Sequence, residues 1–145
     1  MKLVKVLALA GAVALVAALG ASTAQAGFGR QYYGGWSYCT KGYWYCTYTY
    51  KPYVGYPNYC YNYCVWYPAT PKFCYYFNPY RGTYWGRYDF QTKGYSLLAE
   101  KDRKKDLKDI PESAFPKPGK MPTIPGAKDD VAIEPPPENV PKDKK

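Results

Sequence analysis

The sequence contains no histidine, and this absence excludes several kinds of catalytic site. Without imidazole, neither a Ser-His nor a Cys-His pair can be assembled. The aromatic part of the chain, residues 27–98, has a single carboxylate, Asp89, so it cannot supply the carboxylate pair of a glycoside hydrolase. A C-x-x-C motif and a glycine-rich phosphate loop are also absent. We therefore expect a protein that is not an enzyme, with no catalytic residue, resident metal or cofactor.

Tyrosine is the residue that the chain has in abundance. All nineteen tyrosines lie between Tyr32 and Tyr95, and the same stretch contains the five cysteines and the four tryptophans. Residues 27–98 also carry seven basic side chains against one acid, which is a net charge of +6. A positively charged, aromatic surface favours contact with anionic envelope polymers or glycans. The alternative is that the charge keeps an aggregation-prone aromatic segment in solution.

The N-terminal residues have the three-part pattern of a secretory signal peptide. A basic start, Met1–Lys5, precedes an apolar run, Val6–Leu19, and Ala24-Gln25-Ala26 forms a cleavage site with small residues at both required positions. We predict that residues 1–26 are removed after Ala26 and that the protein is secreted, periplasmic or on the cell surface. The alternative is a retained membrane anchor. After cleavage we expect no transmembrane span, and export argues against nucleic acid as a partner.

Export changes how the cysteines are interpreted, because thiols outside the cytoplasm tend to become oxidised. Four cysteines fall on one seven-residue register, and Cys64 alone is off it. We therefore expect Cys64 to be the unpaired thiol, which is either free or joined to another chain by an interchain disulfide. The disulfide candidates are Cys39, Cys46, Cys60 and Cys74.

A zinc site is the alternative interpretation of the cysteines. Cys60 and Cys64 have a C-x3-C spacing that suits one metal ion, and Cys39 and Cys46 could complete its ligands. The loose spacings and the oxidising compartment favour disulfides over zinc.

The residue content predicts a small, mainly β, disulfide-pinned fold. Strand formers such as Tyr, Trp and Thr fill residues 27–72, with turns at Lys41-Gly42 and Val54-Gly55. The prolines between Pro52 and Pro71 predict irregular loops there. Residues 73–98 predict a three-stranded antiparallel meander, with turns at 78–82 and 91–94.

The C-terminal third is predicted to be helix followed by an extended tail. Residues 99–110 are highly charged and have few apolar positions, so a short helix there would depend on docking. Residues 111–145 are rich in proline, which favours extended structure. Because single apolar residues stand between these prolines, the tail either lies across the sheet or binds a partner, or else it is solvated.

These features favour a structural or surface-interaction role in the cell envelope or extracellular matrix. Tyrosine and cysteine together offer ring stacking, hydrogen bonds and oxidative cross-links. The alternative is a module that binds glycan or protein through exposed Tyr, Trp and basic residues. The expected binding surface consists of Tyr80, Arg81, Tyr84, Trp85 and Arg87.

Residues 75 to about 125 also carry a resemblance. The motifs are Asn78-Pro79-Tyr80, Tyr84-Trp85-Gly86-Arg87-Tyr88, residues 94–103 and Ile110-Pro111-Glu112. In these motifs the chain resembles small exported tyrosine- and cysteine-rich proteins of planctomycete-type bacteria. The resemblance implies export from a bacterial cell, and it assigns no role to any residue.

Overall fold

Seven antiparallel strands form a single curled sheet in the computed structural model, which describes residues 29–141. The predicted signal peptide, residues 1–26, lies outside the described residues. Every strand named here lies in the compact unit that begins at Gln31. The strands are β1 (Gln31–Tyr33), β2 (Ser37–Cys39), β3 (Tyr43–Tyr50), β4 (Cys60–Trp66), β5 (Phe73–Asn78), β6 (Thr83–Asp89) and β7 (Gly94–Leu97).

The order of the strands in the sheet follows the order of the chain. From β3 onwards each strand pairs with the next, which gives the order β1-β3-β4-β5-β6-β7. β2 pairs with β3 as well, beside Tyr43–Tyr45, whereas β1 pairs with Tyr48–Tyr50. β1 and β2 therefore act as one edge strand that is interrupted at residues 34–36. The sheet is mainly built from neighbouring segments, so the turns between them set its register.

The predicted turns are confirmed. Gly42 and Gly82 have positive φ angles of 99° and 68°, which glycine adopts without the penalty that a Cβ atom brings. Asn78 accepts hydrogen bonds from the backbone amides of Tyr80 and Arg81, so its side chain shapes the turn between β5 and β6. The predicted meander is present as β5, β6 and β7, but it is part of a seven-stranded sheet and does not stand alone.

Two predictions about local structure are wrong. Residues 52–71 are not all irregular, because β4 lies among them and pairs with both β3 and β5. The prolines are compatible with this strand since Pro57 precedes it and Pro68 follows it. The charged helix over 99–110 is also absent: the segment contains only two short 3-10 turns, Glu100–Asp102 and Leu107–Asp109. Its apolar residues are too few to form the stripe that would hold an α-helix against the sheet.

Alternation along the strands gives the sheet two apolar faces. The inner face is centred on the buried side chains of β3 to β7, and the segment after residue 119 packs on it. The strand residues of the inner face are Cys46, Tyr48, Tyr50, Cys64, Cys74, Tyr76, Trp85, Tyr88 and Tyr95. The outer face is centred on Val65, Phe73, Tyr75 and Tyr84. It is covered in part by the segment from Leu98 to Phe115, which we call the covering segment.

The proline-rich tail is docked on the inner face. It first joins the edge strand β7, where Tyr95 and Gly119 exchange two backbone hydrogen bonds of 2.8 and 2.9 Å. Ile124 and Ile133 are then fully buried against the rings of the inner face. At the opposite edge, the Gln31 side chain donates to the carbonyl of Ala132 and accepts from the amide of Glu134. The tail thus crosses the sheet from β7 to β1.

Truncating a tail isoleucine should destabilise the whole domain. Ile124→Ala removes a fully buried side chain, so we expect the free energy of unfolding to fall by about 2 to 5 kcal/mol in denaturant titrations. Val54→Ala is the matched control, because Val54 is exposed and its truncation should change stability by less than about 0.5 kcal/mol. Equal, small effects of the two substitutions would mean that the tail does not share the core.

Candidate functional site

Only two of the five residues of the expected binding surface are exposed. Tyr80 and Arg81 lie in the turn between β5 and β6, and both side chains face solvent. Tyr84, Trp85 and Arg87 are buried, so the prediction that they form an exposed surface is wrong. The reason is that β6 is an interior strand, paired with β5 and β7, and both of its faces are covered.

Trp85 and Tyr84 point into opposite cores. The indole N–H of Trp85 donates to Asn62 Oδ1 at 3.2 Å on the inner face, where Tyr76 and Tyr95 pack against its ring. Tyr84 lies on the outer face, and its hydroxyl is 3.3 Å from the hydroxyl of Tyr67. The two residues are adjacent in β6, and the alternation of side chains along a strand places them on opposite faces of the sheet.

Arg87 fixes the covering segment to the outer face. Its guanidinium carbon lies 3.7 Å from the ring centroid of Phe73 and 4.0 Å from that of Phe115. Both terminal nitrogens donate to the carboxylate of Glu112, with one of these bonds measuring 2.9 Å. A buried guanidinium stacked between two rings and paired with a carboxylate has a structural role.

The five cysteines are free thiols, so the prediction of a disulfide-pinned fold is wrong for this structure. Three thiols meet in the inner core, where Cys64 hydrogen-bonds with both Cys46 and Cys74. Burial raises the pKa values of Cys64 and Cys74. The pKa of Cys46 is raised chiefly by its hydrogen bond to Cys64 and then by burial.

The register predicted that Cys64 alone would be unpaired, but all five cysteines are free thiols. Cys64 lies directly opposite Cys46 in the pairing of β3 with β4, and its side chain is fully buried. A thiol in this position cannot reach a second chain while the domain is folded.

The four ligands proposed for zinc are not brought together, because Cys39 lies opposite Tyr43 and Cys60 lies opposite Tyr50, at the two ends of β3. Among residues 29–141 no group of three or more cysteine or acidic side chains is arranged to hold a metal ion.

The outer face contains a cleft of about 530 Å³, which we call the outer cleft. The covering segment packs over β5, β6 and part of β4, which leaves the outer side chains of β3 and Tyr63 of β4 half-exposed. Lys105 and Asp106 of the covering segment form one wall. The lining residues are Cys39, Lys41, Tyr43, Tyr45, Tyr63, Val65, Phe77, Tyr84, Lys105 and Asp106.

Tyrosine rings continue from the outer cleft to the turn between β5 and β6. The ring centroids of Tyr45 and Tyr63 are 6.0 Å apart, those of Tyr63 and Tyr61 are 5.6 Å apart, and those of Tyr61 and Tyr80 are 5.5 Å apart. We call these four residues the tyrosine row. Tyr45, Tyr61 and Tyr63 come from the outer side of β3 and β4, so strand alternation produces the row. Successive rings of the row meet edge to face, and the row continues the aromatic surface beyond the outer cleft.

The chemistry of the outer cleft is polar at its rim and apolar at its floor. The Tyr43 hydroxyl hydrogen-bonds with Cys39, which raises the pKa of Tyr43 to about 12 and lowers the pKa of the Cys39 thiol. Lys41 and Lys105 contribute two ammonium groups against the one carboxylate of Asp106. At neutral pH the site therefore offers neutral phenols, aromatic faces and a net positive charge.

Sequence reasoning found only part of this site, since Tyr84 of the expected binding surface lines the outer cleft and Tyr80 ends the tyrosine row. Tyr43 and Tyr45 were predicted only as strand residues. Tyr63 was predicted to lie in an irregular loop, and Lys105 in a helix. Alternation within Tyr43–Tyr50 could have indicated that Tyr43 and Tyr45 share a face. Nothing in the sequence indicated that Lys105 would face them.

No protein-family model, curated protein or solved structure matches the chain. The resemblance to exported planctomycete-type proteins stays a prediction. Within residues 29–141 there is no helix with the length and hydrophobicity that a bilayer crossing requires.

The pairing of Arg87 with Glu112 predicts a pH dependence of stability. Hydrogen bonds from Arg87 lower the pKa of Glu112 from its usual 4.5. A depressed carboxyl pKa stabilises the fold above the unfolded-state value, and this contribution disappears as the pH falls through the folded-state value. Because the Glu112 side chain is 75% exposed, we expect a contribution of less than about 1 kcal/mol.

Denaturant titrations between about pH 6 and about pH 2 can measure this contribution. Glu112→Gln should flatten the acid side of the stability profile relative to the wild type. Glu100→Gln is the control, since Glu100 is exposed and lies 3.7 Å from the exposed Arg81. Identical slopes for the Glu112→Gln variant and the wild type would contradict the assignment.

Proposed function

We propose that the protein is a non-catalytic, exported surface-interaction protein that binds an acidic glycan of the cell envelope or matrix in the outer cleft. The observation that carries this proposal is the aromatic floor of the cleft, with lysines at its margins. The ligand class follows from three properties of the cleft, which are its rings, its hydroxyls and its charge.

The rings favour a sugar. The apolar C–H faces of a pyranose ring pack well on flat aromatic side chains, and the half-exposed Tyr45 and Tyr63 offer such faces. The tyrosine row extends this surface beyond the cleft with centroid separations between 5.5 and 6.0 Å. A linear chain of sugars suits this row better than a single compact ligand does.

The hydroxyls and the charge favour an acidic sugar. Each phenol can both donate and accept a hydrogen bond, which matches the hydroxyl groups of a glycan. Lys41 and Lys105 can pair with carboxylate or sulfate groups, and Asp106 offsets one of their charges. A neutral glycan would leave the two ammonium groups without a ligand partner, so affinity should depend on acidic groups and on ionic strength.

A binding experiment with matched polysaccharides tests the proposal. We expect the purified protein to be retarded in affinity electrophoresis by polygalacturonate and much less by dextran, with retardation reduced by salt. Tyr45→Ala should weaken binding by roughly tenfold or more, which corresponds to about 1.4 kcal/mol, because it removes a ring from the floor. The double variant Lys41→Gln/Lys105→Gln should lower affinity for the acidic polymer toward that for dextran.

The control is the double variant Tyr53→Ala/Lys51→Gln, which removes a ring and a positive charge from the loop between β3 and β4. This loop does not line the outer cleft. The control should bind as the wild type does. Equal losses in the control and in the cleft variants would contradict the site, and an absence of retardation by both polysaccharides would contradict the ligand class.

A further inference from the structure

A second feature of the molecule is a concentration of exposed tyrosines at one end of the sheet. Tyr32 of β1 and Tyr61 of β4 both lie opposite Thr49 of β3, so they flank it on the same row of the outer face. Tyr59 precedes β4, and Tyr80 lies in the turn between β5 and β6. The exposed fractions are 50% for Tyr32, 47% for Tyr59, 37% for Tyr61 and 62% for Tyr80.

These four side chains form two close pairs. The ring centroids of Tyr61 and Tyr80 are 5.5 Å apart with an interplanar angle of 61°. Those of Tyr32 and Tyr59 are 5.7 Å apart with an angle of 74°. In such an edge-to-face arrangement, the edge of one ring points at the face of the other ring. Rotation of exposed side chains between their rotamers can bring the ring carbons beside the two hydroxyls together without moving the core.

We propose that Tyr61–Tyr80 and Tyr32–Tyr59 are sites of oxidative cross-linking to dityrosine. The oxidant is hydrogen peroxide, used by a peroxidase that takes one electron at a time. Each phenol loses one electron and one proton to become a phenoxyl radical, and the two radicals join through a carbon–carbon bond between the ring positions next to the oxygens. The two ring hydrogens then return to the oxygens. Each cross-link thus removes two hydrogen atoms from the protein and reduces one peroxide molecule to two molecules of water.

Access to the oxidant distinguishes these pairs from the tyrosine pairs of the core. Tyr48 and Tyr50 are just as close, with stacked rings whose centroids are 5.2 Å apart. However, their exposed fractions are 0% and 5%, and burial raises the pKa of Tyr50 to about 12. The surrounding core also prevents the rotation that bond formation needs. Proximity without exposure should therefore give no cross-link.

The two cross-links would join distant parts of the chain covalently, in a domain whose cysteines are free thiols and form no disulfides. A Tyr32–Tyr59 bond would tie the edge strand β1 to the residue before β4, across β3. A Tyr61–Tyr80 bond would tie β4 to the turn that follows β5. Both bonds would restrict the unfolded chain and so stabilise the fold, in the way that disulfides do.

The test treats the folded full-length mature chain with peroxidase and hydrogen peroxide. Dityrosine is measured by its fluorescence, and its position is mapped by mass spectrometry of peptides. We expect monomers with cross-links at Tyr61–Tyr80 and Tyr32–Tyr59, each of which removes two hydrogen atoms. Tyr80→Phe should lose the first cross-link and keep the second, and Tyr32→Phe should do the reverse. Phenylalanine keeps the ring contact but cannot form the radical, so the two variants control for each other.

Three results would overturn the proposal. The first is cross-linking that maps to Tyr48–Tyr50. The second is dityrosine found only between chains, which would mean that the pairs do not couple. The third is an unchanged dityrosine yield in the double variant Tyr80→Phe/Tyr32→Phe, provided that its thermal unfolding matches that of the wild type.

Discussion

The fold depends on the burial of the inner aromatic face beneath the C-terminal tail. A sheet of seven strands with Tyr48, Tyr76 and Tyr95 on one side would expose a large apolar surface if nothing covered it. Ile124 and Ile133 are fully buried on that surface, and the Gln31 side chain bonds the tail backbone at its far edge. Proline suits this part because it has no N–H group that would need a partner in an extended segment lying across strands.

This covering determines where a ligand surface can be. The tail covers the inner face, and the covering segment covers only part of the outer face, so the outer side chains of β3 and Tyr63 of β4 are left half-exposed. Arg87 fixes that boundary, because Phe115 and Glu112 of the covering segment pack against its guanidinium. The outer cleft is thus a consequence of how the segment is anchored.

Local structure was predictable from the sequence where the residue types themselves determine the backbone conformation. Glycine at positions 42 and 82 and the side chain of Asn78 predicted the turns correctly, and the turns predicted the meander. The predictions failed for features that depend on where a segment lies in the sheet. β4 was missed because its flanking prolines were taken to disrupt the whole stretch between them.

The candidate site was harder to predict for a related reason. Tyr84, Trp85 and Arg87 have the residue types of a binding surface, and only the two coverings of β6 make them core residues. The cysteine prediction relied on the compartment, whereas the positions of Cys46, Cys64 and Cys74 depend on the register of the three strands β3, β4 and β5. No local sequence pattern specifies which residues such strand pairing brings together.

Hydrogen exchange of the tail amides tests the role of the tail most directly. The amide of Ile124 donates to the carbonyl of Val131 at 3.0 Å, and that of Ile133 donates to the carbonyl of Pro122 at 2.8 Å. If the tail is part of the core, both amides should exchange as slowly as those of the central strand β4, through global unfolding. Exchange of these two amides at the rate of an unstructured chain, while β4 stays protected, would contradict the account.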